Sequence, residues 1–276
     1  MTTGHTLHRQ LRAQVLGAFR VSVDGRPIDA HRWQHGSAER LAKLMLVTPT
    51  HRVRREAAAE LLWPDVGPLR AAANLRRALH FLRRAMDGYE KRSLLAAGQH
   101  DVAFAPDVDV TVDLGSLQAA GQRISGAFGG GALWPDDVEG DLELVVRLGA
   151  QELLPDDLTE EWTIRLREQL LVRWERAAIL VAERALGQGN PGRASEIGEK
   201  ILERDPASEE AHRLVIRSLV LEGLPHAARR QMATCRRALR EAFDVEPGPD
   251  TVAALDPCQA IAIGALVAAR PSGSGV

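Results

Sequence analysis

The feature that most constrains the fold is an internal repeat of 34 residues in the carboxy-terminal half. The matching pairs are Gly189 and Gly223, Pro191 and Pro225, Ala194 and Ala228, Leu180 and Leu214, and Val181 and Val215. Five matches in one register exceed coincidence. A period of this length is typical of paired antiparallel helices that stack and share a core. The second half is therefore predicted to be a short array of helical pairs that closes near Phe243 and Val245.

An apolar stripe at helical spacing leads into this repeat. It consists of Trp162, Leu166, Leu170, Trp174, Ala177, Val181 and Ala185, which predicts one long helix with a single buried face. Further upstream, Gly126 to Gly131 has the composition of a linker. We therefore expect a linker over residues 116–140, a tetratricopeptide-like helical domain over 141–255, and a tail of unassigned role over 256–276.

The amino-terminal part alternates strand and helix signals. Val15, Phe19, Val21 and Val23 have a strand's period of two, and Asp24-Gly25 is a hairpin-turn signal. Three helices are predicted over 38–47, 54–63 and 69–86, and a hairpin pairs 94–95 with 102–104. This order is that of a winged helix-turn-helix, placed at residues 11–115. The fold class is mainly α with small β hairpins.

The charge is distributed unevenly. Residues 1–115 carry 17 Lys and Arg against 12 Asp and Glu, whereas the remainder carries 18 against 25. A basic half joined to an acidic half suggests that the first domain meets a polyanion. The preference for Arg over Lys suits contacts with phosphate and guanine, but it is at least as typical of a GC-rich genome.

The third predicted helix carries the strongest functional pattern. Leu75, Leu79, Leu82 and Met86 fall on one side and are expected to face the core; Arg70, Ala73, Arg77, His80 and Arg84 fall on the other, with Asn74, Arg76 and Arg83 on the flanks. Within this helix no acidic residue precedes Asp87, so its cations repel each other unless something negative lies against them. That partner is either DNA or an acidic protein surface.

Side-chain chemistry suggests roles for these residues on DNA. Arg and Asn can bond bidentately to guanine and adenine, so Asn74, Arg77 and Arg84 are candidate base readers. Arg70, Arg76, His80 and Arg83 complete the DNA-facing set. Lys91, Arg92, Gln99 and His100, in or beside the wing, are candidate phosphate or minor-groove contacts.

Other chemistry is not supported. His31 and His35 have a helical metal-ligand spacing but no third ligand, and Asp156-Asp157 with Glu160-Glu161 fits a helix start. The two cysteines have no metal or disulfide pattern. We therefore expect no catalytic residue, no cofactor and no metal. No secretory signal or apolar run of membrane-spanning length is visible, so a cytoplasmic location is expected.

Several runs resemble the Streptomyces antibiotic regulatory protein family of transcriptional activators. RREAAAELLWPD (Arg54 to Asp65) and AAANLRRALHFLRRAM (Ala71 to Met86) resemble the family's second and third winged-helix helices. LLPDDLTEEWTIRLREQLL (Leu153 to Leu171), DPASEEAHRLVIRSLVLEG (Asp205 to Gly223) and FDVEPGPDT (Phe243 to Thr251) resemble its bacterial transcriptional activation domain. The resemblance implies binding to direct repeats near a promoter, recruitment of RNA polymerase and a possible homodimer through the helical domain. The competing hypothesis is a helical scaffold that binds a protein partner without specific DNA recognition.

Overall fold

The computed structural model describes residues 9–33, 35–87, 93–129 and 138–256. The chain divides into two compact units. The first consists of residues 1–117 and 151–168, and the second of residues 118–150 and 169–276. Both units are built mostly from helices, and small sheets of a few strands lie in the first. No helix among the described residues combines the length and apolar character that a bilayer crossing requires.

The first unit contains a four-stranded sheet. Its strands are β1 (Arg9–Gln14), β2 (Arg20–Val23), β3 (Arg26–Pro27) and β7 (Val108–Val112), in the order β3-β2-β1-β7. The predicted turn between β2 and β3 is confirmed, because Asp24 and Gly25 both have positive φ, at 48° and 78°, as a type I′ hairpin turn requires. Strands β1 and β7 were not predicted. They pair in parallel, with Leu11 opposite Val110.

The three helices of the winged helix follow strand β3 as predicted. They are α1 (Gly36–Val47), α2 (Arg55–Leu62) and α3 (Pro68–Asp87). A three-stranded sheet of β4 (Arg52–Arg54), β5 (Leu95–Ala97) and β6 (Asp101–Phe104) has the order β4-β6-β5. The predicted hairpin is the antiparallel pair of β5 and β6. Strand β4, which was not predicted, adds its third strand.

The predicted linker is wrong over much of its length. Helix α4 (Asp113–Gly129) occupies the first part of residues 116–140, and α5 (Val138–Gly149) begins before they end. Leu114, Leu117, Ala120 and Ile124 are buried at helical spacing. The burial of this stripe outweighs the helix penalty of the nearby glycines, which is about 1 kcal/mol each. Residues 130–137, which include Gly130 and Gly131, lie outside the described part of the chain.

The remaining helices form the predicted array. They are α6 (Glu161–Gly187), α7 (Pro191–Leu202), α8 (Glu209–Leu221), α9 (Pro225–Phe243) and α10 (Pro249–Ala253). The 34-residue repeat appears in the backbone, because Gly189 and Gly223 share the same φ of 74°. Each glycine precedes a helix whose first residue is the repeated proline. The tetratricopeptide-like arrangement predicted from the repeat is thus confirmed.

The two members of a buried ion pair are also separated by one repeat of 34 residues. Arg217 of α8 donates to the carboxylate of Glu183 in α6, which lies one repeat earlier. The side chain of Arg217 is only 2% exposed. Because removing a charge from water is costly, a buried arginine requires a close carboxylate partner. The repeat therefore positions charge as well as apolar surface.

Candidate nucleic-acid interface

Helices α2 and α3 are joined by a short turn that fixes where each begins and ends. The N–H of Trp63 donates to the carbonyl of Ala59 at 3.0 Å, which closes α2. The carbonyl of Gly67 accepts from the N–H groups of Arg70 and Ala71, both at 3.0 Å, which opens α3. Pro68 suits the first helical position, since the N–H it lacks would have no partner there. The turn thus determines where α3 begins.

One face of α3 belongs to the core. Leu75, Leu79, Leu82 and Met86 are buried as predicted, together with Ala71, Ala78 and Ala85. This face packs against α1 and α2. The orientation of α3 about its own axis is therefore determined by apolar burial. Its opposite side is left for solvent or a ligand.

The opposite face of α3 is cationic. Arg70, Ala73, Arg76, Arg77, His80 and Arg84 are exposed, while Asn74 and Arg83 are half-buried. None of the five arginines forms an ion pair or a side-chain hydrogen bond with another described residue. The first turn of α3 also has no acidic residue. Uncompensated like charges on one helix repel each other, so this surface is suited to a polyanion.

The wing is anchored to both helices of the helix-turn-helix. The N–H of Leu94 donates to the Asp87 carboxylate at 2.7 Å, which ties the start of the hairpin to the end of α3. The N–H of Arg55 donates to the carbonyl of His100 at 2.8 Å, which ties the hairpin tip to the start of α2. Gln99 and His100 are exposed at this tip. Lys91 and Arg92 lie outside the described residues.

A histidine cluster beside α3 was not predicted from the sequence. A 3-10 helix at Ala30–Trp33 lies near the carboxy-terminal half of α3. His31 and His35 line a small cavity of about 150 Å³ with Arg84. The ring of His35 stacks on Phe81, with centroids 3.5 Å apart. The spacing of His31 and His35 was the only signal in the sequence, and it did not indicate their contact with Phe81 or Arg84.

The histidine pair that matched a metal spacing thus lies beside an aromatic ring and an arginine. Within the described ranges, no group of three or more His, Cys, Asp or Glu side chains could hold a metal ion. The cluster instead extends the cationic side of α3.

Comparison with known proteins agrees with this architecture. The structure of Mycobacterium tuberculosis EmbR in complex with a low-affinity phosphopeptide has the same overall fold, with a TM-score of 0.69. The match covers 94% of this chain and 69% of that one, at 18% sequence identity. No curated protein sequence matches the chain significantly.

The described residues thus form a winged helix and an array of stacked helical pairs. Residues 115–256 match the bacterial transcriptional activator domain. The chain belongs to the bacterial transcriptional activator domain family, and it is a transcriptional activator of the Streptomyces antibiotic regulatory protein type. The resemblance of the sequence motifs to this family is thereby confirmed. The matched region starts at residue 115, one residue before the predicted linker.

Proposed function

We propose that the chain is a sequence-specific activator that binds double-stranded promoter DNA through α3. The observation that carries the proposal is the arginine face of α3, whose five arginines have no acidic partner among the described residues. Phosphate groups supply the negative charge that this face lacks. The major groove is wide enough to admit a helix, and the wing tip at Gln99 and His100 is exposed for backbone contact. The target is promoter DNA in the bacterial cytoplasm.

The residues of the face divide into two proposed roles. Asn74, Arg77 and Arg84 read base edges, because their side chains can form paired hydrogen bonds with adenine or guanine. The remaining cationic and polar residues of α3 and the wing bind phosphates or enter the minor groove, which fixes the position of the protein on the duplex. This second group comprises Arg70, Arg76, His80, Arg83, Lys91, Arg92, Gln99 and His100.

Activation is proposed to involve the helical domain. The family match covers this domain, and the motif resemblance implies binding to direct repeats, recruitment of RNA polymerase and dimerisation. On a direct repeat, two copies bind in the same orientation. The helical array would then provide the surface that contacts the second copy or the polymerase.

Arginine substitutions on α3 test the proposal. Arg77→Ala or Arg84→Ala is expected to weaken specific binding by about 1–3 kcal/mol if the residue reads a base. A phosphate contact would instead lower the slope of log affinity against log salt by about 1. Arg229→Ala, at an exposed arginine of α9, is the matched control and should change neither quantity. The measurement is a salt-dependent gel-shift titration on a duplex found by genome-wide footprinting.

Competitor DNA separates the proposal from the scaffold hypothesis. A specific activator should remain bound to the duplex found by footprinting when unrelated DNA is added in excess. Equal affinity for every duplex would contradict the proposed sequence specificity. Binding to many phosphates should lose orders of magnitude in affinity between low and physiological salt. A scaffold that uses the arginine face to bind a protein should not show this loss in its DNA affinity.

A further inference from the structure

An apolar side chain lies exposed in the first turn of α3. Leu69 is 88% exposed, more than any other large hydrophobic residue in the described ranges. Beside it, α2, the turn and α3 form a groove of about 470 Å³ that Trp63, Val66 and Ala72 help to line. Leu69 is not among the residues that line this groove. Neither the core nor the groove therefore accounts for a leucine at this position.

The geometry of α3 places Leu69 beside the arginine face. At 3.6 residues per turn, Leu69 lies about 80° around the helix from Arg77, and Ala73 lies between them. Ala73 is also exposed. Residues four apart on a helix are neighbours, so Leu69 and Ala73 form a single apolar patch, called here the leucine patch. It interrupts a surface that is otherwise made of cations and Asn74.

The major groove of DNA offers an apolar group that matches this patch. Among the base edges there, the C5 methyl of thymine is the apolar feature, and apolar side chains contact it. We propose that the leucine patch reads a thymine methyl where the amino-terminal end of α3 meets the binding site. The inference rests on the proposed function, since it requires α3 to lie in the major groove. It adds a thymine requirement to hydrogen-bonded readout by the arginines.

Replacement of thymine by deoxyuridine isolates this contact, because it removes the methyl and leaves base pairing intact. The probe is a duplex that the full-length protein selects from a randomised pool, with each dT replaced by dU in turn. One or two positions should lose affinity by about fourfold, which corresponds to about 0.8 kcal/mol for one buried carbon. The remaining replacements should be neutral.

Leu69→Ala should abolish the difference between dT and dU at the sensitive position. Leu69→Met, which keeps an apolar side chain of similar size, should restore it. Leu69→Ala should also leave the salt slope unchanged, unlike loss of a phosphate contact. Leu158→Ala is the matched control, since Leu158 is exposed to 55% outside the helix-turn-helix, and it should retain the full dT preference.

The outcomes distinguish failure of this inference from failure of the proposed function. If the protein selects a duplex but every dU replacement is neutral, the inference is overturned while sequence-specific binding stands. Retention of the dT preference in Leu69→Ala would assign the methyl contact to another residue and also overturn it. If no duplex is selected at all, the proposed function fails, and the inference fails with it.

Discussion

At the scale of single residues, His212 shows how burial selects a protonation state. It is 2% exposed in α8. Its Nε2 donates to the carbonyl of Pro206 at 3.0 Å, and its Nδ1 accepts from the side-chain amide of Gln231 at 2.8 Å. Both partners suit the neutral ring. Burial lowers the pKa of His212 and outweighs the opposing effects of the Pro206 carbonyl, Asp205 and Glu209.

This histidine should make stability depend on pH. Below its ordinary pKa of about 6.5, the unfolded chain binds a proton at residue 212 while the folded chain does not, so stability falls as the pH falls. Between pH 6.5 and 5.5 the loss is at most about 1.4 kcal/mol. Urea denaturation at pH 7.5 and 5.5 should show a shallower decline in His212→Gln than in the wild type. His226→Gln, at an exposed histidine, is the matched control; equal declines in all three proteins would contradict the expectation.

Residue-level predictions succeeded where helical periodicity governs exposure. The exposed side of α3 follows from the spacing of Leu75, Leu79 and Leu82, so the positions of its arginines could be predicted without tertiary structure. The stacking of His35 on Phe81 could not. These residues are far apart in the sequence, and no local pattern relates them. Contact with DNA remains a prediction for all the residues of the face.

At the scale of elements, the repeat allows two helix starts to be compared. Asn190 precedes α7, and its side chain accepts from the N–H of Arg193 at 3.1 Å. Leu224 occupies the equivalent position before α9, with φ of −109° and ψ of 60° against −112° and 70° for Asn190. It provides no side-chain cap. The same backbone geometry is therefore capped in one repeat and uncapped in the next.

A cap should be transferable between the repeats. Leu224→Asn is expected to stabilise the protein by about 1 kcal/mol, because it gives the start of α9 a side-chain acceptor. Asn190→Ala should destabilise it by a similar amount. Urea denaturation measures both changes. Leu224→Ala controls for the loss of the leucine, which is 48% exposed. If Leu224→Asn is no more stable than Leu224→Ala, the cap does not form.

Element predictions failed where two local signals competed. The glycines near residue 126 favoured a linker, whereas Leu117, Ala120 and Ile124 favour a helix. The structure shows the helix because those three side chains are buried. Strands β1 and β7 were missed for a different reason. Their stability depends on parallel pairing between segments almost one hundred residues apart, which no local window contains.

At the scale of the molecule, residues 151–168 join the first compact unit, although the sequence analysis assigned all of them to the second domain. Leu153 forms a β-bridge with Leu16. The Nζ of Lys43, whose side chain is 4% exposed, lies 2.7 Å from the Asp157 carboxylate and 2.6 Å from that of Glu39. Burial alone would lower the pKa of Lys43, but its hydrogen bonds with Asp157 and Glu39 outweigh this and raise it. A charged lysine therefore fastens this segment to α1.

A fragment ending at residue 117 should consequently fold poorly. It would lack Asp157, one of the two carboxylates that pair with the buried Lys43, and a lost hydrogen bond to a charged group costs about 1.5–3 kcal/mol. Residue Leu16 would also lose its contact with Leu153. Near-ultraviolet circular dichroism and urea denaturation should show a cooperative transition for fragment 1–168 and a weak or absent one for fragment 1–117.

Point variants in the full chain provide the control. Asp157→Asn should lower stability by about 1.5–3 kcal/mol, which is typical of a lost hydrogen bond to a charged group. Asp156→Asn changes the exposed neighbouring carboxylate and should have little effect. A fragment 1–117 as stable as fragment 1–168 would show that the segment is dispensable for folding.

The sequence by itself determined the features that repeat over short distances. Helical spacing defined the buried and cationic sides of α3, and the 34-residue period defined the stacked pairs from α6 onward. The first follows from local geometry, because side chains three or four residues apart share a helix face. The second follows because each repeat encodes one pair of helices that contacts its neighbours in the chain. Only the tertiary structure decided that β1 pairs with β7, that His35 stacks on Phe81, and that Asp157 neutralises Lys43. Each of these depends on segments brought together by the burial of the whole core, which local periodicity does not encode.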